Sequence, residues 1–330
     1  MNRRKFGRTG LHLSELCLNT ESFGWINDDA LSLELLNAYH DAGGRFVQTV
    51  GGATPPAGTP TPSSVRSEEL VGQWHRERKI SRDGFVLATR IAFPRPAHGG
   101  GVTFANFIRE SCEQSLRRLR SDHLDLLVCE WDDDLVPVED AVSAFDMLIR
   151  AGLIRHVVAS EFPAWRVNDS LHRSTARNLC RFEGLQIEYS LMARLRFETE
   201  ELVMAREHRL GLIVRSPLAD GFISASRDST LNSSSGDHGW LNECYGTSRG
   251  DAVKSTLTEI AQQREATPAQ VALAWVRRDP QVTSALISPA TTGELAELIH
   301  SLRLTLTPGE IVALETASAV RPSRIELRHA

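Results

Sequence analysis

Short apolar segments alternate with longer amphipathic segments along nearly the whole chain, and the alternation occurs eight times. Apolar segments such as "RFVQTV", "HLDLLVCEW" and "LGLIVRSPL" are almost continuously hydrophobic, which is typical of parallel strands covered on both faces. The segments that follow them carry apolar residues at helical spacing. Eight such units favour a closed barrel over an open doubly wound sheet. We therefore predict an α/β fold, a (β/α)8 TIM barrel.

The chain has 330 residues, a length that such barrels reach as one domain, so residues 1–330 are predicted to form one domain with a flexible tail at 321–330. Additional helices are predicted near the carboxyl end in "TPAQVALAWVRRDP" and "TPGEIVALETAS", because each begins with a threonine N-cap followed by proline. Two polar stretches, 51–64 and 226–251, are predicted to be long loops at the mouth of the barrel, where active sites of this fold lie.

The amino-acid composition limits the kinds of molecule that the protein is expected to bind. Lys and Arg total 37 and Asp and Glu total 42, giving a net charge of -5, which argues against nucleic acid. The five cysteines form no CxxC pair and fit a reducing cytoplasm. No apolar run reaches the length of a membrane span, and the amino terminus lacks the apolar segment of a signal peptide. A cytoplasmic protein acting on a small molecule is expected, with its oligomeric state left open.

Several segments resemble the aldo-keto reductase family in order and spacing. They are "GRTGLHLSEL", "DHLDLLVCEWDDD", "LIRAGLIRHVVASEF", "LQIEYSLM", "VRSPLADGFIS" and "TPAQVALAWV". The resemblance covers nearly the whole chain. It implies a (β/α)8 barrel that binds NADPH across its mouth and reduces carbonyls with an Asp, a Tyr, a Lys and a His.

The four catalytic positions of that family hold other residues here. Gln48 stands at the place of the Asp, Ala53 at that of the Tyr, Arg90 at that of the Lys and Glu130 at that of the His. Ala53 has no proton to donate, and Arg90 keeps a positive charge but does not titrate. The four differences together predict that NADPH-dependent carbonyl reduction has been lost.

The positions that bind the nicotinamide cofactor in the family are altered as well. Arg215 stands where an aromatic residue packs on the nicotinamide ring, and Glu161 stands where an asparagine holds the carboxamide. Ala290 and Glu294 stand where the family binds the adenosine phosphate. No cofactor is therefore expected, with NADPH as the alternative. If a dinucleotide is retained, the residues left to bind it are Gln186, Ser160, Ser216, Ser288 and Thr291.

The substituted residues are charged and polar, and the resemblance places them around one mouth. The catalytic candidates are Glu130, Arg90, Glu161 and Arg215, and the substrate-binding candidates are Gln48, Trp131, Gln186 and Ser160. Two carboxylates near two guanidiniums can divide acid and base roles, and arginine can orient a substrate carboxylate or stabilise an enolate. A purely structural pair of Arg90 with Glu130 explains the same residues equally well.

Three functions stay open at this point. The first is a non-redox enzyme, an isomerase, dehydrating lyase or cyclase in specialised metabolism. The second is a binding or regulatory protein without catalysis, and the third is an NADPH-dependent oxidoreductase with an atypical site. No metal site is predicted, because the consecutive acids of "EWDDD" point in different directions. Tyr245, in the second polar stretch, is a further candidate proton donor.

Overall fold

A computed structural model describes residues 1–51, 63–92, 103–130, 136–224 and 239–320, without the side chains of residues 63, 64, 239, 240 and 242. Eight parallel strands close into a barrel in chain order, and the last strand pairs with the first. The strands are β3 (Leu16–Asn19), β4 (Phe46–Gly51), β5 (Val86–Ala92), β6 (Leu124–Glu130), β7 (Ile154–Ser160), β8 (Phe182–Glu188), β9 (Gly211–Arg215) and β10 (Val282–Ile287). The predicted (β/α)8 barrel is thereby confirmed.

Helices surround this barrel. They are α1 (Asp29–Asp41), α2 (Ser63–Glu77), α3 (Phe104–Leu119), α4 (Val138–Arg150), α5 (Ala164–Arg177), α6 (Leu202–His208), α7 (Gly239–Tyr245), α8 (Ser248–Gln263), α9 (Pro268–Val276), α10 (Thr292–His300) and α11 (Pro308–Ala317). The two additional helices predicted near the carboxyl end are α9 and α11. Thr267 and Thr307 cap them, each within a complete capping box and followed by proline.

The first apolar segment of the sequence, "LHLSELCL" at residues 11–18, divides between two sheets. Strand β2 (His12–Ser14) pairs antiparallel with β1 (Arg3–Lys5), and only the later part of the segment enters the barrel. Phe6, between β1 and β2, is fully buried among the residues that fill the barrel. Gly184 and Gly211 leave room for its ring, because a Cβ on either would lie 2.1 Å from it. The hairpin thus closes the end of the barrel at which the strands begin.

The inside of the barrel changes from apolar to polar towards the carboxyl ends of the strands. Alternate residues of a strand face inward, so on β6 Leu126 and Val128 join the inner apolar cluster and Glu130 follows on the same face at the strand end. Cys129 points the other way and packs between the sheet and the helices. This alternation brings the last inward residue of each strand to one mouth.

The second polar stretch is not a loop throughout. Helix α7 forms within it and α8 begins at Ser248, because Leu241 is buried and the Tyr245 ring packs against Phe222 at 5.5 Å. Residues 225–238, residues 52–62 of the first polar stretch, and the predicted tail at 321–330 lie outside the described residues. Within the ranges that are described, no helix combines the length and apolar character needed to cross a membrane.

Candidate functional site

The strand ends open into a cleft of about 460 Å³, a volume in the range of small-molecule sites. Eight of the residues singled out from the sequence line it: Gln48, Arg90, Gln186, Arg215, Ser216, Ser288, Ala290 and Glu294. Glu130, Glu161, Ser160 and Thr291 lie behind this lining and bond to residues in it or beside it. Ala53 and Trp131 lie outside the described residues.

Arg90 is held by two carboxylates. One terminal nitrogen donates to the Glu130 carboxylate, and the other donates to Oε1 of Glu21 at 3.0 Å. The Arg90 side chain is only 14% exposed. The ion pair with Glu130 that the sequence raised as an alternative is present, and Glu21, from the loop after β3, makes it a triad. The charge of Arg90 is therefore already compensated within the protein.

Glu161 is equally well bonded. It follows β7 with a left-handed backbone, φ +58°, and its N–H donates to the carbonyl oxygen of Gln186 at 3.0 Å. Its Oε1 accepts from the backbone N–H of Glu188 at 2.9 Å, and its Oε2 accepts from Arg196 at 3.3 Å. The carboxylate thus ties three neighbouring segments together, which is a structural role.

Arg215 is bound more loosely than Arg90. Its Nε donates to Oε1 of Glu161 at 3.3 Å, and 39% of its side chain is exposed. No residue of the described chain bonds its two terminal nitrogens, and Arg215 lines the cleft. Burial acts to lower the pKa of Arg215, but the nearby carboxylates of Glu161, Glu130 and Asp220 outweigh it, so the pKa is raised. The guanidinium is a permanent cation with a free edge.

Amide groups form the floor of the cleft. Nε2 of Gln186 donates to Oε1 of Gln48 at 2.7 Å, with the reciprocal contact at 3.4 Å, and Ser160 donates to Gln186 at 3.4 Å. Asn19, at the end of β3, donates to Ser288 at 3.1 Å. Its Oδ1 is buried and has no partner among the described residues. The floor offers unused hydrogen-bonding capacity to a ligand.

Glu188 is a site residue that the sequence analysis missed. It ends β8 on the same inward face as Gln186 and is paired in register with Arg215. Its Oε1 accepts from the phenol of Tyr245 at 3.1 Å. Burial raises the pKa of Glu188, Asp220 and Glu161 raise it further, and the Tyr245 hydrogen bond and Arg215 act in the opposite direction. The period of two along "GLQIE" would have identified this position.

Tyr245 is the one tyrosine of the chain at the mouth, since the sequence contains three. The Tyr39 phenol is buried against the carbonyl oxygens of Leu16 and Phe46. The Tyr189 phenol bonds Glu198 and Arg278 on the outer side of the barrel wall. Tyr245 and Glu188 do not themselves line the cleft, and Glu188 is next to it through its strand neighbour Arg215, which does.

The start of α10 is closed to an incoming anion by its own side chains. Thr291 caps the helix by accepting from the N–H of Glu294 at 3.1 Å, and the Glu294 carboxylate accepts from the N–H of Ala290 at 2.8 Å. Burial raises the pKa of Glu294, and Glu297 raises it further, while the bond from Ala290 lowers it. Two N–H groups at this helix start, those of Ala290 and Glu294, are thus bonded to side chains, and a negatively charged group stands where a phosphate would bind.

The charges that line the cleft affect whether it can bind the phosphates of a dinucleotide. Arg90 and Arg215 face three acids, Glu21, Asp220 and Glu294. Arg90 is paired with Glu21, so among the described lining residues Arg215 alone stands against Asp220 and Glu294. This lining fits the several negative charges of a dinucleotide phosphate chain poorly.

Comparisons with known proteins place the chain among relatives of several kinds. A model of the Aldo/keto reductase family matches residues 15–319. A Bacillus subtilis protein named uncharacterized oxidoreductase YrpG is 29% identical over 317 residues, 91% of this chain and 90% of that protein. A probable voltage-gated potassium channel subunit beta of Arabidopsis thaliana is 26% identical over 334 residues, 99% of each chain. The probable aryl-alcohol dehydrogenase AAD4 of Saccharomyces cerevisiae is 25% identical over 300 residues, 86% of this chain and 87% of that protein.

Proposed function

The chain belongs to the aldo/keto reductase family, and we propose that it is an enzyme that performs non-redox acid–base chemistry on a small anionic molecule in the cleft. The observation that carries the proposal is the half-buried pair of Glu188 and Tyr245, together with the register pairing of Glu188 with Arg215, whose terminal nitrogens are unused among the described residues. A carboxyl group near a fixed cation can move a proton on a bound anion.

The side chains at other strand ends support this assignment, because they are already bonded to groups of the protein and are not available to transfer a proton. Gln48 does not titrate and is bonded to Gln186, while Arg90 is held between Glu130 and Glu21. The family typically uses NAD(P)H, but the closed start of α10 and the acidic lining argue against a dinucleotide here. The proposed enzyme therefore acts without a nicotinamide cofactor.

Each proposed role follows from position. Arg215 binds the anionic group of the substrate. The ionised carboxylate of Glu188 takes a proton from the carbon next to a carbonyl, and the electron pair of the broken C–H bond moves into that carbonyl as an enolate. Protonated Glu188 then returns the proton to the same carbon and the carbonyl re-forms, so no oxidant is needed. Tyr245 holds the Glu188 carboxylate by its hydrogen bond.

Hydrogen exchange in D2O tests this proposal without knowledge of the full reaction. Small carboxylic acids with an adjacent carbonyl or hydroxyl group are incubated with the protein, and loss of the C–H signal is followed by proton NMR. We expect faster exchange with the protein present, and a rate at least about 100-fold lower in Glu188→Gln, because general bases contribute this much.

Glu198→Gln is the matched control, because Glu198 belongs to the other Tyr–Glu pair, with Tyr189, away from the cleft. It should keep the exchange rate once folding is verified by its melting temperature. Equal rates in Glu188→Gln and the unaltered protein would remove Glu188 from the mechanism. Absence of exchange with every acid would reject acid–base chemistry and leave a binding protein.

Nicotinamide-dependent reduction is the second candidate. It is favoured by the names of the Bacillus and yeast relatives and by the presence of Gln186 and Ser288 in the cleft. Calorimetric titration with NADPH, NADP, NADH and NAD separates the candidates. Binding of any of the four at micromolar concentration, together with oxidation of the reduced form by a carbonyl compound, would replace the first proposal with this one.

A further inference from the structure

We infer that the cleft binds an aromatic 2-hydroxy or enolic carboxylic acid, with its carboxylate on Arg215, its ring against Trp25 and its hydroxyl on Asn19. The inference rests on the proposed function, since it names the substrate class of the same site. Three independent features of the cleft, one for each part of the ligand, carry it.

The free edge of Arg215 fits a single carboxylate. A guanidinium presents parallel N–H donors to the two oxygens of a carboxylate, and both terminal nitrogens of Arg215 are unused within the described chain. The acids Asp220 and Glu294 in the same lining disfavour ligands with several negative charges. A monoanion is therefore preferred to a phosphorylated compound.

Trp25 provides an aromatic surface at the rim. It lines the cleft, 65% of it is exposed, and its neighbour Ile26 is 43% exposed. The loop that carries it is fixed, because the N–H groups of Trp25, Ile26 and Asn27 all donate to the carbonyl oxygen of Ser22 at 3.0–3.3 Å. An exposed indole on a fixed loop contributes little to folding and loses little entropy when a ring packs on it.

The loop is also anchored from both sides. Phe23 is fully buried in the core, and the Asn27 side chain donates to the carbonyl oxygen of Pro289 at 3.3 Å. Gly24 has φ +71°, and a Cβ there would lie 2.1 Å from Cγ of Arg66. The position of Trp25 is thus set before a ligand arrives.

The Asn19 side chain at the floor of the cleft is the basis for proposing a hydroxyl group on the ligand. Oδ1 of Asn19 is buried and unpartnered among the described residues, and Asn19 lines the cleft. A buried acceptor without a donor is unfavourable, and the proposed contact requires the Asn19 amide to turn so that its Oδ1 accepts from a ligand O–H. The inference places the hydroxyl or enol next to the carboxylate, because Asn19 and Arg215 line the same cleft.

Four probes that differ in one group each test the three contacts by calorimetry. The reference probe is mandelate. Phenylacetate lacks its hydroxyl, lactate has a methyl group in place of its ring, and 1-phenylethane-1,2-diol has a CH2OH group in place of its carboxylate. We expect mandelate to bind best. Loss of the carboxylate should weaken binding roughly 10- to 100-fold, and loss of the ring or the hydroxyl roughly 5- to 10-fold.

Variants assign the loss of the carboxylate contact and the loss of the ring contact to their residues. Arg215→Gln should weaken mandelate binding to the level of the diol and leave the diol unchanged. Trp25→Ala should weaken mandelate binding to the level of lactate and leave lactate unchanged. The controls are Arg206→Gln, an exposed arginine with one ion pair on α6, and Trp165→Ala, which replaces an equally exposed tryptophan on α5 that does not line the cleft.

Several results would overturn the inference. Equal affinity of lactate and mandelate removes the aromatic contact, and unchanged mandelate binding by Arg215→Gln removes the carboxylate contact. If the unaltered protein binds no aryl acid, the ligand class is wrong. In that case, Glu188-dependent exchange on a non-aromatic acid would show that the proposed function stands without it.

Discussion

The two sides of the mouth use the same residue type in opposite ways. On one side Arg90 is 14% exposed and held by two carboxylates, from Glu130 and Glu21. On the other side Arg215 is 39% exposed and makes one contact of 3.3 Å, to Glu161. A fully paired guanidinium stabilises the protein around it, whereas one with a free edge can bind a ligand. The sequence alone shows two arginines at strand ends and does not separate these roles.

The largest expected effect is on stability and comes from the Arg90 side. Arg90→Gln leaves Glu130 and Glu21 without their cation and should lower the free energy of unfolding by about 2 kcal/mol. Arg215→Gln should lower it by less than about 1 kcal/mol, because its contact is long and solvent-exposed. Urea denaturation measures both. Equal losses would contradict the division between the two sides.

A smaller effect is expected from the amide pair that lies between the sides. Gln48→Leu leaves the buried Nε2 of Gln186 without its acceptor and should cost about 1.5 kcal/mol. The double variant Gln48→Leu/Gln186→Leu should cost less than the sum of the two single variants, because both partners are then apolar. Urea denaturation of the four proteins gives the coupling energy. If the loss in the double variant equals the sum of the two single losses, the hydrogen bond between Gln48 and Gln186 does not contribute to stability.

The smallest effect concerns the pH dependence of stability on the Arg215 side. The pKa of Glu188 is raised in the folded state, so this group contributes stability below its ordinary value of 4.5, and the contribution is lost as pH rises through the folded pKa. The amide introduced by Glu188→Gln does not titrate. The free energy of unfolding, measured by urea denaturation, should therefore shift in favour of that variant as pH rises from 4 to 8, by less than about 1 kcal/mol because the group is partly exposed.

The control is Glu207→Gln, which removes an exposed glutamate on α6 and reports the effect of charge alone. If the Glu188→Gln variant instead loses stability relative to the unaltered protein as pH rises, the prediction is wrong. The ionised form of Glu188 would then stabilise the fold.

The barrel could be predicted because strand and helix periods are local and repeat eight times. The caps at Thr267 and Thr307 were equally local and are confirmed. The hairpin of β1 and β2 could not be predicted, since three-residue strands such as "RRK" carry no periodicity. Helix α7 was missed because it lies in a polar stretch and is stabilised by contacts with Phe222, far from it along the chain.

Part of the site could be predicted too. Alternation along β6 placed Glu130 on the inward face and Cys129 on the outer one. The partners of Arg90 and Glu161 were not predictable, because Glu21 comes from an irregular loop and Arg196 from the segment before α6. The left-handed backbone of Glu161 also depends on bonds made after folding. Whether a charged residue is paired or free is decided by such distant partners.

The buried position of Phe6 determines the route by which a ligand enters and leaves the barrel. Its ring and the hairpin beside it seal the opposite end of the barrel, so whatever enters the cleft leaves by the same opening. A reaction product still resting on Arg215 would exclude the next substrate molecule. Turnover would then show competitive product inhibition, and the rate of product departure, set by contacts at the rim, would limit how fast the protein can work.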